Sequence, residues 1–249
     1  RETLDSVFAQ SFTDYEVIVI NDESPDTPEL EDVLKDYRGK VVYLKQSNRG
    51  AGAARNYGLR VSRGEYVAFL DGDDLWLPEF LTEQLKLIRS DHGYDMVYAN
   101  SVNFGEWAAD GVTNMALNPS HGEVTFRKLL CGDCNIFTST VLARKEPIIR
   151  VGCFNERFRN SQDFDLWLRL AKDAKARITY QKKVLGRRRI YRGSLASDPL
   201  RSFAGELAVL DSMRGREDLT ADERQVLEDT VRKRQATVGV LKGKQELIV

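Results

Sequence analysis

The sequence predicts an α/β protein: a mostly parallel sheet flanked by helices, followed by a helical C-terminal tail. Three observations carry that expectation. Over the first 75 residues, short apolar strand runs alternate with amphipathic helix patterns, which implies parallel strands with helices on the sheet faces. Two of these runs end in carboxylate-bearing turns, at Asp22 and at Asp71 to Asp74, and open α/β sheets bind ligands beyond the carboxyl ends of their strands. Residues 200 to 242 are charge-rich and helical in pattern.

In order, Leu4, Val7 and Phe8 recur at helical spacing, and residues 15–20 read as a buried strand. Residues 21–26 are dense in turn formers. Leu30, Val33, Leu34 and Tyr37 mark a second helix, 41–44 a second strand, and 53–61 a third helix opened by Arg49-Gly50-Ala51-Gly52. Residues 65–70 form a third strand running into Asp71-Gly72-Asp73-Asp74. Beyond Pro78 the pattern gives a helix to about Arg89, a strand at 96–99, and a polar loop or hairpin at 101–122. It continues with a short helix at 125–130, a strand at 136–143 and a buried helix at 164–171.

The composition narrows the class. The 249 residues are 42% hydrophobic, enough for a sizeable core and too apolar for disorder throughout. With 37 basic and 38 acidic residues the chain is not built mainly to bind nucleic acid. No run of about 20 apolar residues is present, so no transmembrane helix is expected, and no signal peptide is legible. Three cysteines make no disulfide framework, and a cytosolic protein is expected.

Several clusters could carry chemistry. In Asp71-Gly72-Asp73-Asp74, two carboxylates one residue apart at a strand end offer hard oxygens suited to Mg²⁺ or Mn²⁺, which take further ligands from phosphate and water. The bland alternative is a solvated turn. Asn48 to Asn56 contains Gly-x-Gly and lies about 20 residues before Asp71, as in dinucleotide-binding turns. Arg55, however, occupies the third glycine position, where close helix–strand contact is needed. Ser161-Gln162-Asp163 opens the buried helix, so Asp163 is either an N-terminal charge favoured by the helix dipole or a positioned general base. Cys131 and Cys134 have C-x-x-C spacing with no second pair, and His92 and His121 are isolated; none is expected to be functional. Lys182, Lys183, Arg187, Arg188, Arg189 and Arg192 form a basic cluster: solvated surface, a pyrophosphate clamp or an anionic-membrane contact. The tail arginines 214, 216, 232 and 234, with Lys233, are balanced by acids and read as a solvated face.

As an ordered set these motifs resemble the family 2 glycosyltransferases. The matching pieces are 2–7 with Gln10, 19–26, Asn48-Arg49-Gly50, Ala54-Arg55-Asn56, 63–66, 69–74, 151–158 and 162–169, over about residues 1–196. The resemblance implies a GT-A (Rossmann-like) fold and inverting transfer of a hexose from a nucleotide-diphosphate sugar to a hydroxyl. It implies a saccharide or lipid-linked acceptor, in cell-envelope polysaccharide biosynthesis. Asp22 resembles the acid that contacts the nucleobase, Asp71 and Asp73 the acids of the DxD metal motif, and Asp163 the catalytic base. Asn48, Arg55 and Gln162 resemble donor-site residues, and Arg192 and Ser194 a late element near the diphosphate. The cofactor implied is Mg²⁺ or Mn²⁺. The organisation implied is a nucleotide-sugar half (1–100), an acceptor half (101–197) and a tail (198–249). No nucleic-acid partner is implied, and any membrane contact is peripheral, at the inner face.

The sequence departs from the family pattern at Asn21 and Glu23, and at Gln162, where a neutral side chain replaces the usual acid beside the base. The family's first strand would precede Arg1, so the chain reads as N-terminally truncated and is expected to be unstable or inactive alone. Two rivals remain: a non-catalytic sugar-nucleotide-binding module, favoured by Asn21, Gln162 and the missing first strand, and a nicotinamide-dependent oxidoreductase, favoured by the Gly50–Asp71 spacing.

Overall fold

The computed structural model describes residues 1–90, 93–109, 111–194 and 197–246; His92 lies outside them. Helix α1 (Glu2–Phe8) leads into β1 (Val17–Asn21). A first-turn proline suits α2 (Thr27–Leu34), since its missing N–H is one that no helical carbonyl could accept. Then follow β2 (Val41–Lys45), α3 (Ala51–Val61), β3 (Tyr66–Ala68), the two-residue β4 (Leu75–Trp76), α4 (Phe80–Ile88) and β5 (Met96–Phe104). Two short helices, α5 (Asn114–Leu117) and α6 (Phe126–Cys131), are each capped by a threonine hydroxyl, Thr113 and Thr125, that accepts a first-turn N–H. The chain continues through β6 (Val141–Arg144), α7 (Lys145–Arg150), α8 (Gln162–Lys172) and β7 (Ile178–Arg189). It ends in α9 (Pro199–Met213) and α10 (Ala221–Glu246).

Strands β1 and β2 pair in parallel, Val17 opposite Val41, as a sheet of their own. The other five strands run in the order β3-β6-β5-β7-β4, with only β5 and β7 parallel. The sheets are therefore mixed, not mostly parallel. Alternating helices and strands predict crossovers between successive strands but do not say which strands become neighbours. Here β3 pairs antiparallel with β6, from more than 70 residues later.

Other differences have local causes. The expected strand at 136–143 splits into a 3-10 turn, Thr138–Thr140, and β6. Strand β5 runs on to Phe104, into the expected loop. Strand β7 was hidden by its five cations, yet Arg187 and Arg189 hold their guanidinium groups over the Phe104 ring, each 4.4 Å from its centroid.

Helix α8 is buried almost all round, with Leu166, Trp167, Leu168 and Leu170 at most 2% exposed, and Trp167 meets Phe154 edge-on. The tail is not merely a solvated appendage. Val209, Leu210 and Met213 of α9 and Leu227 and Val231 of α10 are buried in the same core as α8. Its outer arginines behave as expected, Arg214 pairing with Glu228 and Arg216 with Asp173.

Gly205 of α9 touches the turn before α8: a Cβ there would lie 2.7 Å from Ser161 Oγ and 2.9 Å from Asn160 Cβ. Gly205→Ala is expected to cost about 1 kcal/mol net, overpacking outweighing the better helix propensity of alanine. A lower urea midpoint with unchanged slope checks this; a higher midpoint would show that the turn yields freely.

Candidate active site

At the end of β1, Asn21 is buried and fully engaged. Its Oδ1 accepts the Ser24 N–H, and its Nδ2 donates to Thr27 Oγ1 (2.7 Å) and Tyr43 Oη (3.0 Å). Both hydroxyls have already spent their protons, on Ser24 O and Glu31. They need a donor, which asparagine supplies and aspartate would not. The departure at Asn21 is thus structural. Asp22 accepts the N–H groups of Arg49 (2.9 Å) and Gly50 (2.7 Å) and the amide of Gln46 (2.8 Å). Glu23, at φ +58°, accepts the Asn48 N–H (2.9 Å). These two acids hold the 48–50 loop, in which Gly50 turns at φ +90° to open α3.

Arg55, one turn into α3, reaches Asp71 Oδ1 through Nη2 at 2.5 Å and lies over the Phe154 ring. Burial alone would loosen its proton; the fields of Asp71 and Asp163 more than reverse that. Its Nη1 is buried without a partner among the described residues. The oxidoreductase reading required a small residue at this position and an unpaired Asp71, and the Arg55–Asp71 pair supplies neither.

The three acids of the 71–74 turn differ. Asp71 is half-exposed. Burial, then the Asp71 charge, pushes the Asp73 carboxyl up from its ordinary value, with Tyr191 and Arg189 partly offsetting. Asp74 is 3% exposed and burial pushes it up to about 7, although it accepts the Ser139 hydroxyl (2.6 Å) and the Arg189 N–H (2.9 Å). Asp74 therefore points inward and braces the turn.

The Thr138–Thr140 turn ties this strand end to α8. Ser139 Oγ bonds Asp74 and accepts the Asp71 N–H (3.2 Å), and the Ser139 carbonyl accepts Trp76 Nε1 (2.7 Å). Next to it, Thr138 Oγ1 donates to Asp163 Oδ2 at 2.6 Å, while the Phe164 N–H donates to Oδ1 at 2.9 Å. Two donors therefore fix the orientation of Asp163. Gln162 packs on Gly52, where a Cβ would come within 3.3 Å of its Cγ, and its Oε1 is buried without a partner among the described residues.

The structure thus gathers Arg55, Asp71, Asp73, Gln162 and Asp163. Asp22 and Asn48 lie on the loop that opens α3. Arg192 is exposed just beyond β7, and Ser194 is buried, its hydroxyl without a partner among the described residues. Sequence reasoning missed Thr138, Ser139 and Tyr191, and it left Asp74 and Arg188 undistinguished within their clusters. Arg188 stacks on Phe137 at 4.8 Å. Burial weakens its hold on its proton while Asp74, Asp71, Asp163 and Asp73 strengthen it. The period-two alternation of a strand would have singled it out, since Arg187 and Arg189 share the opposite face.

Asp71 and Asp73 make a chemically suitable pair for a divalent cation. Among the described residues no third His, Cys, Asp or Glu joins them. Mg²⁺ commonly needs only one or two carboxylates, with phosphate and water completing its shell. Cys131 and Cys134 are free thiols, pushed up by burial, and His121 is exposed. Among the described residues no helix is long and apolar enough to cross a membrane.

Glu206 of α9 reaches the same region from the tail. Burial raises its carboxyl above the ordinary 4.5, Arg234 of α10 (2.7 Å) partly offsets this, and Asp163 adds to it. An acid raised by folding contributes stability that is complete below its unfolded value and is lost as pH rises. The advantage of wild type over Glu206→Gln is therefore expected to shrink from pH 4.5 upward, read as urea midpoints across pH. A constant difference would contradict it.

The profile of glycosyl transferase family 2 matches residues 1–150. An uncharacterized glycosyltransferase of Rickettsia felis is 30% identical over 182 residues, covering 70% of this chain; the chain spans only 29% of that relative's length. The UDP-Glc:alpha-D-GlcNAc-diphosphoundecaprenol beta-1,3-glucosyltransferase WfaP of Escherichia coli is 29% identical over 216 residues, 85% of this chain and 80% of WfaP. Among solved structures, S. aureus TarS 1-349 in complex with UDP-GlcNAc superposes with a TM-score of 0.69 at 22% identity, covering 95% of this chain and 68% of TarS. The mannosyltransferase PcManGT of Pyrobaculum calidifontis, in complex with GDP-Man and Mn²⁺, gives 0.68 at 16% identity, covering 97% and 70%. Such likeness shows the GT-A fold that the sequence led us to expect, and the profile match shows the rest: the chain belongs to glycosyl transferase family 2.

Proposed function

We propose that the protein transfers a hexose, with inversion, from a nucleotide-diphosphate sugar to a hydroxyl of a saccharide or lipid-linked acceptor. The observation that carries this is the Thr138–Thr140 turn, which binds the base candidate Asp163 and the strand-end acids into one site. Residues 1–100 form the donor half, 101–197 the acceptor half, and 198–249 the tail that braces the base. In the donor half Asp22 keeps a lone pair for the nucleobase after holding the 48–50 loop, and Asn48 lies beside it.

In the reaction, the acceptor oxygen forms a bond to the anomeric carbon as the bond to the diphosphate oxygen breaks. The acceptor proton passes to Asp163, and the electron pair leaves with the nucleoside diphosphate. Asp73 and Asp71 would hold Mg²⁺ or Mn²⁺, which when bound offsets the charge developing on the diphosphate. Arg55, Arg188, Arg192 and Ser194 supply further donors to that anion, and Gln162 lies beside the base without adding a charge. A nucleic acid is not among the partners. Membrane association, where the acceptor is lipid-linked, is peripheral at the inner face.

The test is a panel of nucleotide sugars and saccharide acceptors with Mg²⁺ or Mn²⁺. Transfer with inverted anomeric configuration is expected; nucleotide binding without sugar release or transfer would leave a non-catalytic binding module.

A further inference from the structure

An open cleft of about 480 Å³ lies beside the start of α3, lined by Arg49, Asn155, Glu156, Arg157 and Arg159. Its walls come from two segments that the fold locks together. Asn56 of α3 clamps the far segment, donating to Phe154 O (2.9 Å) and Glu156 Oε1 (3.0 Å) and accepting the Phe154 N–H (2.9 Å). Arg159 donates to Asn48 Oδ1 (3.2 Å) and lies across Gly50, where a Cβ would come within 3.0 Å of its Nη1. The one acid in the lining is already spent: Glu156 binds Arg49 at 2.6 Å as well as Asn56. Arg157 and Arg159 are left as cations with no acidic partner among the described residues. The α3 N-terminus beside them adds first-turn N–H groups that no helical carbonyl can satisfy.

We infer that this cleft binds a phosphate or diphosphate ester carried by the acceptor. The inference rests on the proposed transferase reading, which puts the donor diphosphate at Arg55, Arg188, Arg192 and Ser194, beside the cation pair Asp71 and Asp73. The cleft shares only the 48–50 loop with that site. Its far wall, residues 155–159, leads within two residues into the Ser161–Asp163 turn, and Gln162, next to the base, packs on Gly52 at the start of the same α3, so the cleft adjoins the segment that carries the base. Two arginines without acidic partners select a doubly charged, fork-matching anion over a neutral saccharide.

The test is calorimetric titration of the full chain, with UDP and Mn²⁺ filling the donor site. The probes are N-acetylglucosamine linked through diphosphate to octanol, the matching octyl glycoside, N-acetylglucosamine 1-phosphate and inorganic phosphate. The diphosphate probe is expected to bind at least about tenfold tighter than the octyl glycoside, and Arg157→Gln/Arg159→Gln to lose about that factor. Arg157→Lys should fall between. Equal binding of the octyl-diphosphate and 1-phosphate probes assigns the site to phosphosugars in general; preference for the octyl compound assigns it to lipid-linked acceptors. Equal binding of glycoside and diphosphate probe, an unaffected double variant of unchanged melting temperature, or inorganic phosphate binding as tightly as the sugar probes would overturn the inference. Failure of UDP to bind would count against the transferase reading, and the same probes titrated without UDP would still test the cleft.

Discussion

Asp163→Asn is expected to lower transfer by about 10²–10⁴-fold, the usual contribution of a positioned general base. The substitution is close to isosteric and keeps the side chain where two donors now hold it. The Phe164 N–H still finds the amide oxygen, and the Thr138 hydroxyl can turn to accept from the amide nitrogen. Only the capacity to take a proton is lost. Donor affinity and melting temperature are therefore expected to stay at wild-type values, and the loss to fall on kcat. The decisive pair of measurements is product formation from a nucleotide sugar and the affinity for the nucleotide alone. Transfer within a few-fold of wild type would remove Asp163 as the base. A matching drop in nucleotide affinity would show that its role is in holding the donor half together through Arg55.

The site was legible in sequence wherever its chemistry sits in a short contiguous motif. Asp22, Asp71 and Asp73 follow strand ends, which local pattern puts on the ligand side of the sheet, whereas Asp163 opens a buried helix and was singled out as the base only through the family resemblance. What joins them was not legible. Ser139 meets Asp74 across 65 residues and Thr138 meets Asp163 across 25, and neither hydroxyl belongs to a motif. Strand pairing was hidden for the same reason: the identity of a strand is local, whereas the meeting of β3 and β6 depends on the packing of everything between them. Strand β7 failed differently. Its cations look like solvated surface until Phe104 and Phe137 are seen to receive Arg187, Arg189 and Arg188 on opposite faces. Gly205 and the buried faces of α9 and α10 carry no local mark of their role, because a small residue and an apolar stripe acquire meaning only against the turn and core they cover.

Asp73→Ala is expected to weaken the Mn²⁺-dependent part of donor affinity by at least about 100-fold, beyond the 10–100-fold typical of residues that merely support a metal ligand. The reasoning turns on how differently the neighbouring acids are committed. Asp74 has both carboxylate oxygens engaged, by Ser139 and by the Arg189 N–H, and cannot face a cation without breaking the turn. Asp71 is partly neutralised by Arg55. Asp73 is desolvated and repelled by Asp71, and its partners, Tyr191 and Arg189, only partly relieve it. A divalent cation removes both penalties at once, so Asp73 gains most from binding one. Asp74→Asn supplies the contrast. It keeps the shape of the turn and is expected to leave the Mn²⁺ dependence of nucleotide binding within about threefold of wild type, any cost appearing as stability lost with the buried bonds. Nucleotide titrations with and without Mn²⁺ on both variants decide the matter: an unchanged metal increment in Asp73→Ala, or its loss in Asp74→Asn alone, would move the cation from the first acid pair of the turn to its inward member.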